Sequence, residues 1–249
     1  YIYNLLYMEN EGIKIVILAA GAGKRMDSDL PKVLMPLAGK PMIRHVLEPL
    51  VGVFNHKPIA IVGHKKELVQ GELGDLCIYA VQKELLGTGH AVSCAKDECG
   101  EAEHIVVLFG DQPCIELNTI KNLIDKHIRS RAKITFTTTD LPDFFDWRKA
   151  FMAYGRILRE DGEVVGIREY KDASDEEKNI KEVNTGCYIF DAKWLWHNLS
   201  KIKNENSQKE YYLTDLFHIA FENRVKIETV KIKPHEALGA NTKEELETL

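Results

Sequence analysis

The chain has 249 residues, a formal net charge of −5 at pH 7 and 45% hydrophobic residues. A domain of this size buries enough apolar surface to fold without a metal or disulfide staple. The five cysteines form no C-x-x-C pair, which favours a reduced, cytoplasmic protein. The acidic balance argues against nucleic-acid binding, and no apolar run reaches the ~18 residues of a membrane span.

Strands and helices alternate along most of the chain, which is typical of a mostly parallel sheet with helices on both faces. The predicted strands, in chain order, are 13–19, 58–62, 76–81, 104–109, 132–138, 154–159, 163–170, 182–190 and 225–232. The predicted helices are 42–50, one near 66–70, 88–99 with Thr88 as its N-cap, 117–130, 192–202 and 212–221.

Three further segments complete the predicted organisation. Residues 1–11 are interpreted as an N-terminal extension, and residues 141–150 as an irregular insertion. Asp161-Gly162 predicts a hairpin in a second, more strand-rich lobe that follows the first.

A glycine-bearing loop follows the first strand directly. Gly21 and Gly23 allow close backbone approach to an anion, and Lys24, Arg25 and Lys32 supply positive charge. The spacing matches neither the dinucleotide fingerprint, which needs a third glycine, nor the P-loop, which needs Ser or Thr after the lysine. The loop therefore predicts polyphosphate binding, with an ordinary tight turn as the alternative.

Gly110-Asp111 ends the apolar strand 104–109. Carboxyl ends of strands are where open α/β sheets hold ligands, and Mg²⁺ needs only one or two protein oxygens beside phosphates and water. Asp111 is therefore a candidate Mg²⁺ ligand; the alternative is a cap on the next helix.

A second glycine turn follows Gln82. The Gln82 amide offers a donor and an acceptor, as the edge of a pyrimidine imide requires. An ordinary turn remains the alternative, and His90 is interpreted as a packed helix residue because no metal-ligand spacing surrounds it.

Asn184-Thr185-Gly186 interrupts a predicted strand, which indicates a bulge or a ligand-facing position. Glu169 and Asn184 are candidates for holding sugar hydroxyls, whereas strand ends with an ion pair are the alternative for the 154–156 and 169–171 segments. No Ser/His/Asp or Cys/His pairing indicates a covalent nucleophile.

Taken together, eight segments resemble the pyrophosphorylase domain of bacterial N-acetylglucosamine-1-phosphate uridylyltransferases, in the sugar nucleotidyltransferase superfamily. They occur in the family's order, at 18–26, 28–34, 37–41, 86–91, 110–111, 154–157, 182–186 and 210–215. The resemblance implies a Rossmann-like nucleotidyltransferase fold over 12–249. It implies a nucleotide-binding lobe over about 12–140 and a smaller sugar-binding lobe over about 150–235.

The same resemblance implies roles for individual residues. Asp111 and Asn241 would bind the Mg²⁺ cofactor, and Arg25 and Lys32 would neutralise phosphates, with Arg25, Lys32 and Asp111 catalytic. The residues implied to hold the uridine nucleotide are Leu18, Ala19, Ala20, Gly21, Gly23, Gln82, Gly87 and Thr88. Those implied to hold the amino sugar are Gly155, Glu169 and Asn184.

The implied reaction joins UTP and N-acetylglucosamine-1-phosphate, giving UDP-N-acetylglucosamine and pyrophosphate. The attacking phosphate is mostly dianionic at pH 7 and needs no general base. Alternatives are another nucleotide or sugar phosphate, such as dTTP or CTP, and a non-catalytic nucleotide-sugar sensor.

Three departures from the family's pattern shape the expectations. The family's bifunctional members continue into a β-helix acetyltransferase domain, which is not expected here. Because family trimers depend on that domain, we expect a monomer or weak homo-oligomer. The 141–150 loop is longer than usual, and Phe109 stands where tyrosine is common.

Overall fold

The computed structural model describes residues 12–26 and 28–249, so the predicted extension over 1–11 lies outside the described residues. The strands are β1 (Ile13–Ala19), β2 (Pro36–Leu37), β3 (Lys40–Pro41), β4 (Ile59–Val62), β5 (Ile78–Val81), β6 (His104–Phe109), β7 (Ile134–Asp140), β8 (Arg156–Glu160), β9 (Glu163–Arg168), β10 (Glu182–Asp191) and β11 (Ile227–Lys231). The α-helices are α1 (Met42–Leu47), α2 (Lys66–Leu73), α3 (Thr88–Ser93), α4 (Lys96–Cys99), α5 (Leu117–Ser130), α6 (Ala192–Leu199), α7 (Asp215–Glu222) and α8 (Lys243–Thr248).

Nine strands of this described part form a single sheet, in the order β11-β7-β10-β6-β1-β4-β5, and the β8–β9 hairpin joins it through β10. The strands β6, β1, β4 and β5 run parallel, whereas β10 is antiparallel to both β6 and β7. The predicted mixed sheet flanked by helices is confirmed. None of the helices in the described ranges is long and apolar enough to cross a membrane.

Apolar side chains cover both faces of the sheet. Within β1, Ile15 and Ile17 pack in one cluster with α1, α2 and α5, while Val16 packs in the other with α3, α4, α6 and α7. Burial on both faces explains why the parallel strands are almost wholly apolar. Ligands therefore reach this sheet at the ends of its strands rather than across its faces.

The structure corrects the prediction for residues 88–99. The predicted single helix is broken between α3 and α4, and Gly87, not Thr88, is the N-cap. Thr88 is the first residue of α3, and its Oγ1 accepts the backbone N–H of Leu213 at 2.9 Å. Gly100 ends α4 with a φ of +55°.

Smaller corrections concern the chain between residues 141 and 153 and the beginning of α7. Part of the predicted irregular insertion is a 3-10 helix, Asp146–Ala153. Helix α7 begins at Asp215 rather than at residue 212. The β2–β3 pair and α8 were not predicted.

Two local features of the strand-rich part agree with the sequence. Asp161 and Gly162, with φ of +48° and +85°, form the predicted hairpin turn between β8 and β9. The register of β10 shifts between Asn184 and Tyr188, with Gly186 at a φ of +79°, so the predicted bulge is confirmed. Strands from both predicted lobes share one sheet, and the division at about 12–140 and 150–235 stays a prediction.

Arg156 holds the predicted insertion against the hairpin. Its side chain is 1% exposed and lies 4.6 Å from the ring centroid of Phe144 and 5.1 Å from that of Tyr170. Its guanidinium donates to backbone carbonyl oxygens, those of Tyr154 (2.5 Å), Met152 (3.1 Å), Lys178 (3.3 Å) and Phe151 (3.4 Å). These bonds involve no carboxylate, so the alternative of a strand-end ion pair is wrong for Arg156.

We expect Arg156→Ala to lower the free energy of unfolding by about 3 kcal/mol, because buried carbonyls lose their donors. Arg159→Ala is the matched control on the same strand, since its ion pair with Glu182 is more exposed. That control is expected to lose less than about 1 kcal/mol. Denaturant unfolding measures both; equal losses would contradict this role for Arg156.

Candidate active site

A cleft of about 420 Å³ opens at the carboxyl ends of β1, β5 and β6. The predicted site residues that line it are Leu18, Ala20, Gly21, Gly23, Lys32, Gln82, Gly87, Thr88 and Asp111. Ala19 is not among the lining residues, since its side chain is buried in the core at 2% exposure. Nine positions chosen from sequence thus face one space.

Three predicted side chains from distant parts of the chain meet at this cleft. Lys32 Nζ donates to Asp111 Oδ2 in an ion pair, and to Asn241 Oδ1 at 2.8 Å. The side chains of Lys32 and Asp111 are only 17% and 14% exposed, so water screens their attraction less than it would on the surface.

Backbone contacts fix Asn241 beside Asp111. Ala240 N donates to Asp111 O at 3.1 Å, and Asn241 N donates to Glu245 Oε2 at 2.6 Å. A Cβ on Gly239 would lie 2.8 Å from Asp111 O, so this close approach requires glycine. Sequence reasoning from the residues alone missed this segment.

The oxygens that converge here are those that a hard cation prefers. A carboxylate oxygen of Asp111 and an amide oxygen of Asn241 already share one positive charge, the Lys32 ammonium. Oxygen ligands of this kind suit Mg²⁺ better than softer metals. The residues present therefore fit a magnesium ion.

The far wall of the cleft is a turn at residues 86–89, held by backbone bonds to Tyr211. Tyr211 N donates to Leu86 O at 2.7 Å, and Gly89 N donates to Tyr211 O at 2.8 Å. Gly87 has a φ of +110°, and a Cβ there would lie 2.7 Å from Tyr211 O. We call these two backbone bonds of Tyr211 the clamp. The clamp gives the 210–215 segment a structural role that sequence reasoning did not assign.

Gln82 lies behind this turn and is 4% exposed. Its Nε2 donates to Gly87 O at 3.1 Å and lies 3.1 Å from His90 Nδ1. The Gln82 side-chain amide, which is predicted to contact a pyrimidine, therefore has two protein partners, Gly87 O and His90 Nδ1.

The predicted sugar-binding residues lie close together, outside the main cleft lining. Asn184 N donates to Gly155 O at 2.9 Å, and Glu169 Oε1 lies 3.7 Å from where a Cβ on Gly155 would be. Glu169 lines a second cavity of about 220 Å³. Burial raises the pKa of the Glu169 carboxyl, although the hydroxyl of Thr214, which donates to it at 2.7 Å, opposes the shift.

Gln112 joins this group to the cation site. It follows Asp111 in the chain, and its Oε1 lies 2.8 Å from where a Cβ on Gly186 would be. Within the bulge, Asn184 Nδ2 donates to the Tyr188 hydroxyl at 2.5 Å, and Gly186 N donates to Asn184 Oδ1 at 3.2 Å. The bulge at Gly186 thus makes room for Gln112.

Arg25 is exposed in the 3-10 turn Lys24–Met26 and does not line the cleft. Its predicted contact with phosphates stays a prediction.

A glycine loop, a lysine and a carboxylate lie together at the carboxyl edge of this sheet, an arrangement that suits binding of a nucleotide polyphosphate. Residues 15–164 match the MobA-like NTP transferase domain, and the chain belongs to this family. The bifunctional protein GlmU of Streptococcus agalactiae is 42% identical over 236 residues, covering 94% of this chain and 50% of that protein. GlmU of Syntrophotalea carbinolica is 42% identical over 245 residues, covering 96% and 51%. The chain therefore spans about half the length of these relatives.

Solved structures agree on the fold. UDP-glucose pyrophosphorylase complexed with UDP-glucose is similar with a TM-score of 0.73 at 19% identity, covering 94% of this chain and 96% of that chain. A structure of apo UDP-glucose pyrophosphorylase gives 0.72 at 19% identity, covering 95% and 96%. The predicted Rossmann-like nucleotidyltransferase fold is confirmed.

We expect Gly87→Ala to lower the free energy of unfolding by about 2 kcal/mol, because alanine disfavours positive φ and its Cβ would meet the Tyr211 backbone. Gly21→Ala is the matched control in the same cleft, since a Cβ there meets nothing within 4 Å. The control should stay within about 0.5 kcal/mol of the parent protein in denaturant unfolding. A Gly87→Ala variant as stable as Gly21→Ala would contradict the clamp.

Proposed function

We propose that the chain joins UTP and N-acetylglucosamine-1-phosphate into UDP-N-acetylglucosamine and pyrophosphate. The observation that carries the proposal is the convergence of Lys32, Asp111 and Asn241 at a cleft lined by the Gly21–Gly23 loop. The 42% identity to proteins named GlmU, with the eight sequence segments, supports this choice of substrates.

The nucleotide would lie along the cleft with its phosphates at the glycine loop. Backbone N–H groups around Gly21 and Gly23 would bind phosphate oxygens, and Lys32 would stabilise charge on the α-phosphoryl group and on the departing pyrophosphate. Arg25 would add positive charge to the phosphates from the exposed side of the loop. The uridine base would extend toward Gln82, Gly87 and Thr88, with Leu18 and Ala20 forming the apolar floor.

The reaction would be an in-line displacement at the α-phosphorus. The sugar phosphate is itself the nucleophile and is mostly dianionic at pH 7, so the chain needs to supply positioning and positive charge rather than a base. Asp111 Oδ2 and Asn241 Oδ1 would hold the magnesium ion. When bound, that ion supplies charge neutralisation between the two phosphate groups.

The amino sugar would be held by the group formed by Gly155, Glu169 and Asn184, with Gln112 between it and the cation site. The carboxyl group of Glu169 can bind a sugar hydroxyl from this group. Cytoplasmic location and a monomer or weak homo-oligomer stay predictions.

The test is a panel of UTP, dTTP and CTP against several sugar-1-phosphates, read by pyrophosphate release. The proposal expects the highest kcat/KM for UTP with N-acetylglucosamine-1-phosphate. If kcat/KM is highest for another pair of nucleotide and sugar-1-phosphate, the proposed substrates are wrong and the proposed class of reaction stands. UDP-sugar binding without any pyrophosphate release would identify a sensor and overturn the proposal.

Asp111→Asn is expected to lower kcat by about 10²–10³-fold without unfolding the protein, because it removes a charge that orders the cation site. Asp140→Asn is the control, a strand-end aspartate paired with Lys231 and outside the cleft lining. Steady-state rates at fixed free Mg²⁺ measure both. Near-normal turnover of Asp111→Asn would remove Asp111 from the reaction.

Lys32→Ala is expected to lower kcat by about 10²-fold while changing the KM for the sugar phosphate much less, because its charge acts mainly in the transition state. Lys133→Ala is the control, since Lys133 also pairs with an aspartate, Asp191, beside the amino end of β6. Unchanged kcat in Lys32→Ala would make that residue a bystander.

A further inference from the structure

The orientation of the Gln82 side chain follows from an unambiguous acceptor. Gly87 O can only accept, so the Gln82 atom 3.1 Å from it is the Nε2 amide nitrogen and not the oxygen. Gly87 O is itself fixed, because the turn around it is bonded to Tyr211 on both sides. In this arrangement the nitrogen end of the Gln82 amide, and not its oxygen, therefore points toward Gly87.

The same logic assigns the tautomer of His90. Gln82 Nε2 has a second hydrogen, and His90 Nδ1 lies 3.1 Å away. Nδ1 must therefore be the unprotonated acceptor of the imidazole, and its proton is on Nε2, which lies 3.9 Å from Cys94 Sγ. A histidine interpreted from sequence as packing is thus half of a polar pair.

Both N–H bonds of the Gln82 side-chain amide thus have acceptors, Gly87 O and His90 Nδ1. Its Oε1 has no hydrogen bond among the residues that the structure describes. Gln82 lines the cleft, so the group left to meet a ligand is an acceptor. Uracil and thymine present an N3–H donor, whereas cytosine presents an unprotonated N3. An acceptor that meets position 3 of the ring therefore distinguishes the two kinds of pyrimidine.

We propose that His90 is a positioning residue for nucleotide choice: its unprotonated Nδ1 holds the Gln82 amide so that Oε1 faces the base and selects an imide over cytosine. This inference rests on the proposed function. It extends that function from Gln82, which would contact the base, to His90, which contacts Gln82. Without His90, one amide N–H of a buried side chain loses its acceptor, and the amide can rotate to pair elsewhere.

The experiment compares His90→Leu, which removes the acceptor, with His90→Asn, whose side-chain oxygen stands close to the position of Nδ1. For each protein, kcat/KM is measured with UTP and with CTP, and equilibrium binding of both is measured by calorimetry. Ser93→Ala is the control on the same helix, because its hydroxyl donates to His90 O and not to Gln82.

We expect His90→Leu to lower the UTP-to-CTP preference by about tenfold or more, as the loss of one oriented hydrogen bond predicts. His90→Asn should restore most of it, and Ser93→Ala should leave it unchanged. A packing role would lower the use of both nucleotides equally, and that outcome, or an unchanged ratio, overturns the proposal.

A second measurement does not depend on how His90→Leu folds. ¹⁵N NMR of histidine-labelled parent protein, with the His90 signal assigned by its loss in His90→Asn, reports which ring nitrogen carries the proton. A proton on Nδ1 overturns the proposal. If the parent protein releases no pyrophosphate with UTP, the proposed function fails, and the calorimetric preference for UTP over CTP then decides the role of His90 separately.

Discussion

The shared positive charge between Asp111 and Asn241 is the interaction on which the site depends. One carboxylate and one amide oxygen come together from chain positions 111 and 241, and Lys32 Nζ donates to both. Partial burial strengthens the attraction, and it would also make an unpaired carboxylate costly. Under the proposed function, a second cation held by these two oxygens would leave the Lys32 charge available to neutralise phosphate.

Distant backbone also supports the other end of the cleft, at the 86–89 turn. Tyr211 bonds the 86–89 turn on both sides, and the Thr88 hydroxyl accepts from Leu213 rather than capping its own helix. Another backbone approaches both Gly87 and Gly239 too closely for a Cβ, and Gly87 has in addition a φ of +110°. Contacts with distant backbone therefore hold the cleft walls at both ends, and under the proposed function this would help to position the substrates before reaction.

Local sequence signals predicted the elements whose structure is decided locally. Strands β1 and β6 and helix α5 have the predicted bounds, because apolar runs and flanking polar residues mark them. Long-range contacts decide the rest. Neither the bond from Leu213 to Thr88 nor the burial of Arg156 among carbonyls has a local signature, and Asn241 was found only through resemblance. Thr242, which accepts from Glu245 N at 3.2 Å, is the one local signal near it, since a capping pair marks an ordered helix start.

The bulge in β10 connects the two halves of the candidate site physically. A regular strand would place a side chain where Gln112 lies, but Gly186 leaves that space open, and Gln112 is covalently next to Asp111. The Asn184 carboxamide makes its hydrogen bonds within the bulge, donating to the Tyr188 hydroxyl and accepting from Gly186 N. Its side chain therefore acts first on the shape of β10. Burial raises the pKa of the Glu169 carboxyl, and under the proposed function Glu169 is the better placed of the two to bind a sugar hydroxyl. The shape of the β10 interior thus sets how Gly155, Glu169 and Asn184 lie relative to Asp111.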